Sequence, residues 1–317
     1  MIQACIDTMP GYNREHTYRR RGRHDVKQFD IAVIGMGPAG MAVSAMGAAM
    51  GLSVLAIEKD KVGGECLNCG CIPSKALLKA AGALHGAREL AAYGIDATLA
   101  LNASDPMRVV REKIRGINDK KLMKVFEKVT LVKGTAEFVD AQKIRAGDET
   151  YTAKKIFVAT GTEPFVPPIP GLREIPDILT NANMFEIERM PESLTIIGGG
   201  AIGSEMAQAF SRLGTKVAVA HMDPHLVPVG DEEAARVLES VFRREGIDVY
   251  NGARITDVSL RDGRIVTAME NGSLESERIL VATGRKPVLE SLALDRAGIA
   301  YTRKGITVDS HMRTNVP

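Results

Sequence analysis

From Ile31 to Ile57 the chain runs 27 residues without a charged side chain. Its apolar, β-branched clusters stand at the two ends, Ile31-Ala-Val-Ile34 and Val54-Leu-Ala-Ile57, and small residues fill the middle. Length alone would suit a membrane span behind the basic residues Arg19, Arg20, Arg21, Arg23 and Lys27. Glycines 35, 37, 40, 47 and 51 and Pro38 argue instead for a buried strand, a turn, a small-residue helix and a second strand. The design recurs at Leu194-Thr-Ile-Ile197, where a glycine turn is followed by a helix to about Leu213 and the strand Lys216–His221.

Both turns read Gly-x-Gly-x-x-Gly, with Gly35, Gly37 and Gly40 in the first and Gly198, Gly200 and Gly203 in the second. In such a turn the first glycine bends the chain and the second lets a pyrophosphate approach the backbone. The third lets helix and strand pack closely, and phosphate rests at the helix N-terminus. The residue 18 positions after the third glycine closes the second strand: Glu58, a carboxylate suited to ribose hydroxyls, and His221 in the second unit. Two such units predict an α/β fold with two Rossmann-like dinucleotide-binding domains. A second repeat, Phe157-Val-Ala-Thr-Gly161-Thr-Glu-Pro164 and Leu280-Val-Ala-Thr-Gly284-Arg-Lys-Pro287, marks where the chain passes between them.

The expected division is a disordered basic leader over 1–27, then a first domain carrying a redox loop over 28–161. A second domain inserted over 162–280 and an incomplete return to the first over 281–317 complete it. The prolines at 164, 167, 168, 170 and 176 read as a linker between domains. Residues 76–130 read as largely helical, with the basic run Lys113–Lys128 a solvated helix face.

Composition narrows the function. Hydrophobic residues at 45% and charged residues at 25% suit a soluble protein with an ample core. A net charge of +2 gives no electrostatic case for nucleic acid, and 4% aromatics without tryptophan leaves no stacking platform. The leader lacks an apolar segment, so it is not a secretory signal; neither nucleic acid nor membrane is an expected partner, and the cytoplasm is the expected location. Four cysteines are too few for a disulfide scaffold, and Cys66, Cys69 and Cys71 fall within six residues. Pro73 suits a first helical turn, which puts Cys71 at a helix N-terminus where the dipole lowers a thiol pKa. Cys66, in a glycine-rich loop five positions earlier, can close a small disulfide with Cys71 and reopen it. Two other readings stay open: three zinc ligands, for which the nearest histidine is His85, and inert core thiols. No metal site is expected.

The segment Gly63-Gly64-Glu65-Cys66-Leu-Asn-Cys69-Gly-Cys71-Ile-Pro-Ser-Lys75 resembles the active-site signature of the class I pyridine nucleotide-disulfide oxidoreductases. That family includes dihydrolipoamide dehydrogenase, glutathione reductase and mercuric reductase. The likeness runs from about Phe29 to the last residue, through Met190-Pro-Glu-Ser-Leu194 and Val308-Asp-Ser-His-Met-Arg-Thr-Asn-Val-Pro317. It implies FAD at Gly35, Gly37, Gly40, Glu58, Gly64, Lys75, Gly134, Ala136 and Gly161. It implies NAD or NADP at Gly198, Gly200, Gly203 and a ribose-facing His221, with Gly284 nearby. Electrons would pass from nicotinamide through flavin to a Cys66–Cys71 disulfide, Cys71 facing the flavin and Cys66 meeting substrate. Lys75 and Glu205 match an ion pair beside the flavin.

The sequence departs from the family at three places. Glu65 stands where the family has threonine, and Cys69 where it usually lacks cysteine. His221, with Val227 six positions on, fits neither the acid of NAD-linked relatives nor the arginines of NADP-linked ones. A low-molecular-weight thioredoxin reductase would place its cysteine pair after the second glycine turn; here the cysteines precede that turn by about 130 residues. The family continues past Thr-Asn-Val-Pro with a flavin-binding strand and a dimerisation domain whose His–Glu pair acts across a homodimer. None of the six histidines here has a glutamate five positions later, so the resemblance implies that this domain is missing. A dihydrolipoamide dehydrogenase-like enzyme acting on a disulfide or dithiol, a lipoyl group first, is the nearest branch. A mercuric reductase-like flavoprotein comes second. A nucleotide-binding fragment without disulfide reductase activity is the alternative of another class.

Overall fold

The computed structural model describes residues 26–95, 105–118 and 121–317. The basic leader expected over 1–27 lies outside them except for its last two residues. Strand β1 (Lys27–Ile34) passes through the Gly35 turn into helix α1 (Pro38–Ala49) and returns as β2 (Val54–Glu58), parallel to β1 with Ile31 opposite Val54. Ala32, Val33 and Ile34 are buried, as are Val54 to Ile57, which is the continuous apolar run of strands covered on both faces. Pro38 presets the first helical turn, where its missing N–H leaves nothing unpaired. The small residues of α1 let it lie close to the sheet: a Cβ added at Gly40 would run into the Gly35 carbonyl oxygen.

The chain continues through α2 (Gly64–Asn68), α3 (Cys71–Arg88), α4 (Pro106–Asn118) and the single turn α5 (Lys121–Lys124). It then forms β3 (Val129–Lys133), β4 (Ala136–Phe138), β5 (Lys143–Ala146) and β6 (Glu149–Val158). The sheet order is β3-β2-β1-β6-β5-β4, parallel through β6 and antiparallel beyond it. After the short β7 (Thr162–Pro164) a second unit repeats the plan with β8 (Ser193–Ile197), α6 (Ala201–Arg212), β9 (Lys216–Ala220), α7 (Glu232–Arg244) and β10 (Asp248–Tyr250). A three-stranded meander, β11 (Ile255–Arg261), β12 (Arg264–Met269) and β13 (Gly272–Ser276), leads to β14 (Arg278–Val281). The order β10-β9-β8-β14 is that of β3-β2-β1-β6. The close approach recurs too, since a Cβ at Gly203 would run into the Gly198 carbonyl.

The two passages between units are tied together. Strand β15 (Arg285–Pro287) pairs antiparallel with β7, Thr160 Oγ1 donates to the Val288 carbonyl at 2.9 Å, and Thr283 Oγ1 donates to the Phe165 carbonyl at 2.7 Å. The proline-rich stretch, expected to be a linker, is structural: Leu172 and Ile175 are buried with Val258, Ile265 and Ile279, and Leu179 bridges to Leu280. Proline carries no N–H to satisfy, so the segment can cross without a continuous strand partner while its intervening apolar residues bury. Beyond β15, Leu292, Leu294, Ala297 and Ile299 pack with Ile34, Leu55 and Ile57 of the first sheet. Helix α3 lies across the units, its Leu77 and Ala81 buried with Met206 and Phe210 of α6.

Gly40→Ala and Gly203→Ala are each expected to destabilise the chain by about 1–3 kcal/mol, because helix and turn must separate. Gly82→Ala in α3, where an added Cβ meets nothing within 4 Å, should instead stabilise it by about 0.5–1 kcal/mol. Urea unfolding followed by far-UV circular dichroism checks both.

Candidate active site

The first glycine turn, the cysteine segment and the start of α6 surround a cavity of about 700 Å³. Two glycine backbones face each other in its wall: a Cβ added at Gly64, whose φ is +53°, would stand 2.7 Å from the Gly37 Cα. Glu58 is anchored at both oxygens, Oε2 accepting the Met36 N–H at 2.7 Å and Oε1 the Asp60 N–H at 2.8 Å. Gly35, Gly134, Ala136 and Gly161 line the same cavity; Gly40 does not, and serves the packing of α1.

The helix starts show what this cradle is built to receive. Neither α1, capped by Gly37, nor α6, capped by Gly200, has a side-chain cap or an acid in its first turn. Helix α7 has both: Asp231 accepts the Ala234 N–H at 3.0 Å, and Glu232 and Glu233 follow. Leading N–H groups with no side-chain cap and no acid within the helix's own first turn favour an external anion such as a phosphate.

Cys66 sits in the short helix α2, where a glycine-rich loop was expected. Gly63, at φ +95°, opens the turn, and Asn68 Nδ2 donates back to the Gly64 carbonyl at 2.8 Å. Cys71 is the first residue of α3, as Pro73 suggests. Neither thiol is in a disulfide, and the hydrogen bond with Cys71, with burial second, pushes the Cys66 thiol above its ordinary pKa. Burial, with the Glu65 carboxylate second, pushes Cys69 up to about 11. All three cysteines line the cavity. Lys75 Nζ meets Glu205 Oε1 at 2.5 Å, joining α3 to α6. With side chains 62% and 36% exposed, the pair contributes about 0–1 kcal/mol, so it orients these groups more than it stabilises the fold.

Sequence reasoning did not find the next cluster. Arg285 donates from Nε to Thr162 Oγ1 at 2.7 Å, from Nη2 to the Thr162 carbonyl at 2.9 Å and from Nη1 to Asn181 Oδ1 at 3.0 Å, and it forms an ion pair with Glu65. The guanidinium thereby ties the cysteine segment to both passages between units. A signal was present: Arg285 follows Gly284 as Thr162 follows Gly161 in the repeat.

Gly198, Gly200, Gly203, His221 and Gly284 do not line this cavity, whereas Ala201, Ile202 and Glu205 of α6 do. The ring of His221, expected to face a ribose, is turned into the protein. Its side chain is 2% exposed, packed so that a Cβ at Gly199 would strike it, with Nε2 at 2.8 Å from Asn251 Oδ1. Asn251 Nδ2 in turn donates to the buried Glu239 at 2.9 Å. A small neutral glycine beside the strand end makes room for the imidazole to fold inward. Among the described residues, no group of three or more His, Cys, Asp or Glu is arranged to hold a metal ion. None of their helices is long and apolar enough to cross a membrane.

The sequence profile described as pyridine nucleotide-disulphide oxidoreductase matches residues 29–317. A dihydrolipoyl dehydrogenase of Thermus scotoductus is 37% identical over 92% of this chain, and a mercuric reductase of Streptomyces lividans 34% identical over 91%. The chain spans 65% and 64% of their lengths. Among solved structures, the Cu(II) complex of the HOCl-induced flavoprotein disulfide reductase RclA from Escherichia coli superposes with a TM-score of 0.82. It is 27% identical, over 92% of this chain and 64% of that one.

With its pKa raised to about 11, Cys69 stays a protonated thiol at pH 8 and should alkylate with iodoacetamide more slowly than the exposed Cys71. Glu65→Gln removes a carboxylate that raises this pKa and frees Arg285 to lower it, so the alkylation midpoint of Cys69 should move to lower pH. Peptide mass spectrometry across pH 7–11 measures both.

Proposed function

The chain belongs to the pyridine nucleotide-disulphide oxidoreductases, and on that premise we propose that it works as an FAD-dependent oxidoreductase between NAD or NADP and a dithiol/disulfide substrate. A lipoyl group is the favoured substrate, the complete protein a homodimer, and the cytoplasm, which keeps thiols reduced, the setting. The observation that carries this reading is the placement of two free thiols, Cys66 and Cys71, in the same cavity as the Gly37–Gly64 cradle and Glu58.

The residues fit a bound flavin dinucleotide. The cavity has the volume of a cofactor site, its facing glycine backbones admit a pyrophosphate, α1 begins without a side-chain cap, and Glu58 holds a fixed carboxylate near the turn. Gly35, Gly37, Glu58, Gly64, Gly134, Ala136 and Gly161 would hold it, and Gly198, Gly200 and Gly203 would take the nicotinamide dinucleotide at α6. FAD, when bound, supplies two-electron transfer between a nicotinamide and a thiol pair. The chain's own part is thiol–disulfide exchange. One thiolate of a substrate dithiol attacks the Cys66 sulfur of a Cys66–Cys71 disulfide, releasing Cys71 as thiolate and forming a mixed disulfide. The second substrate thiolate then attacks the substrate sulfur of that mixed disulfide and expels Cys66. Substrate leaves as a disulfide, having lost two electrons, and the cysteine pair holds them. The Lys75–Glu205 pair and the Arg285 cluster hold α3 and α2 in place while these sulfurs change partners.

A second reading rests on Cys69, a third thiol in the same cavity, which favours a soft metal ion such as Hg(II) as substrate. Purified chain supplied with FAD and NADH or NADPH distinguishes these. Lipoamide turnover, abolished by Cys66→Ser and by Cys71→Ser but kept by Cys69→Ser, is the expected result. Hg(II) reduction that needs Cys69 would replace it with the metal reading. A chain that binds both dinucleotides but turns over neither substrate would make it a nucleotide-binding fragment.

A further inference from the structure

The two units treat the end of their second strand differently. In the first, the Glu58 carboxylate is anchored by the N–H of Met36, next after Gly35, and by that of Asp60, two residues on. In the second, the ring of His221 is folded against Gly199, the counterpart of Met36, and buried. Its Nε2 faces Asn251, while Nδ1 is buried without a hydrogen-bond partner among the described residues. The nearest carboxylate to Nδ1 is that of Asp223, whose Oδ2 lies 3.9 Å away and whose side chain is 52% exposed. Asp223 stands two residues past His221, as Asp60 does past Glu58. Its backbone is held as well, the Gly252 N–H donating to the Asp223 carbonyl at 2.9 Å, and the Val227 N–H at the other side of this loop donates to the Gly199 carbonyl at 2.7 Å. The loop is thus pinned onto the glycine turn with the Asp223 carboxylate beside the buried imidazole.

The loop's charge has one sign. Between Lys216 and Arg236 there is no lysine or arginine, while Asp223, Asp231, Glu232 and Glu233 all fall there. A ribose diol donates two hydrogen bonds to a carboxylate, whereas a 2′-phosphate brings like charge and needs cations that this loop does not supply.

Resting on the dinucleotide reading of the second unit, we propose that Asp223, seated beside His221, takes over the ribose-binding role of a strand-end acid and makes this unit select NAD(H) over NADP(H). His221 is then a positioning residue that fills the space under Gly199, and the selective carboxylate lies two residues further along the chain.

Titrating the 317-residue chain calorimetrically with ADP-ribose and with 2′-phospho-ADP-ribose tests this without any need for turnover. ADP-ribose should bind at least about tenfold tighter, and Asp223→Asn, an exposed substitution, should bring the two affinities within about threefold of each other. Equal binding, tighter binding of the phosphorylated ligand, or an unchanged ratio in Asp223→Asn would overturn the assignment to Asp223 while leaving the dinucleotide site standing. If neither ligand binds, the dinucleotide reading of the second unit falls and the assignment with it.

Discussion

The burial of α3 against α6 is the contact on which the placement of the cysteines depends. Leu77, six residues beyond Cys71, and Ala81 are fully buried in one cluster with Met206 and Phe210. Burying a leucine side chain is worth about 1.5–3 kcal/mol, against about 0–1 kcal/mol for an ion pair as exposed as Lys75–Glu205. The apolar seam therefore sets the distance between the cysteines and the second unit. The ion pair at its end orients groups that packing has already brought near. One helix carries Cys71 at its N-terminus in the first unit and part of the apolar core of the second, which places the cysteines at the junction.

The same steric rule acts twice. A Cβ on Gly35 would press on the Ala159 carbonyl, and one on Gly198 on the Ala282 carbonyl, so in each unit the turn is held against the end of the neighbouring parallel strand. Two copies of one scaffold result, with matching strand order and helix starts that lack side-chain caps. They diverge where the scaffold leaves side chains free. Glu58 is carried outward and bonded to the turn, while His221 turns inward onto Asn251 and Glu239.

Much of this could be read along the chain because the signals are local. A glycine turn between an apolar strand and a small-residue helix announces itself within about ten residues, since each glycine answers a steric demand of its immediate neighbours. Pro73 announced the start of α3 for the same reason. The proline-rich crossing misled because prolines report only on backbone φ and missing donors. That Leu172 and Ile175 bury against the meander depends on residues 80 to 110 positions away. The Glu65–Arg285 pair joins positions 220 apart; the repeat that places Arg285 after Gly284 does not point to Glu65.

By itself the sequence determined the α/β class, the two glycine turns and the helix start at Cys71, because turns, helix starts and strand periodicity are governed by near neighbours. Tertiary structure decided what those parts face. It brought Cys66, Cys69, Cys71, Glu58 and Glu205 around one cavity, made the proline-rich crossing part of a core, and buried the imidazole of His221. Which side of a strand end a side chain takes depends on the space left by packing from distant segments, and here Gly199 left room beneath the turn for an imidazole ring.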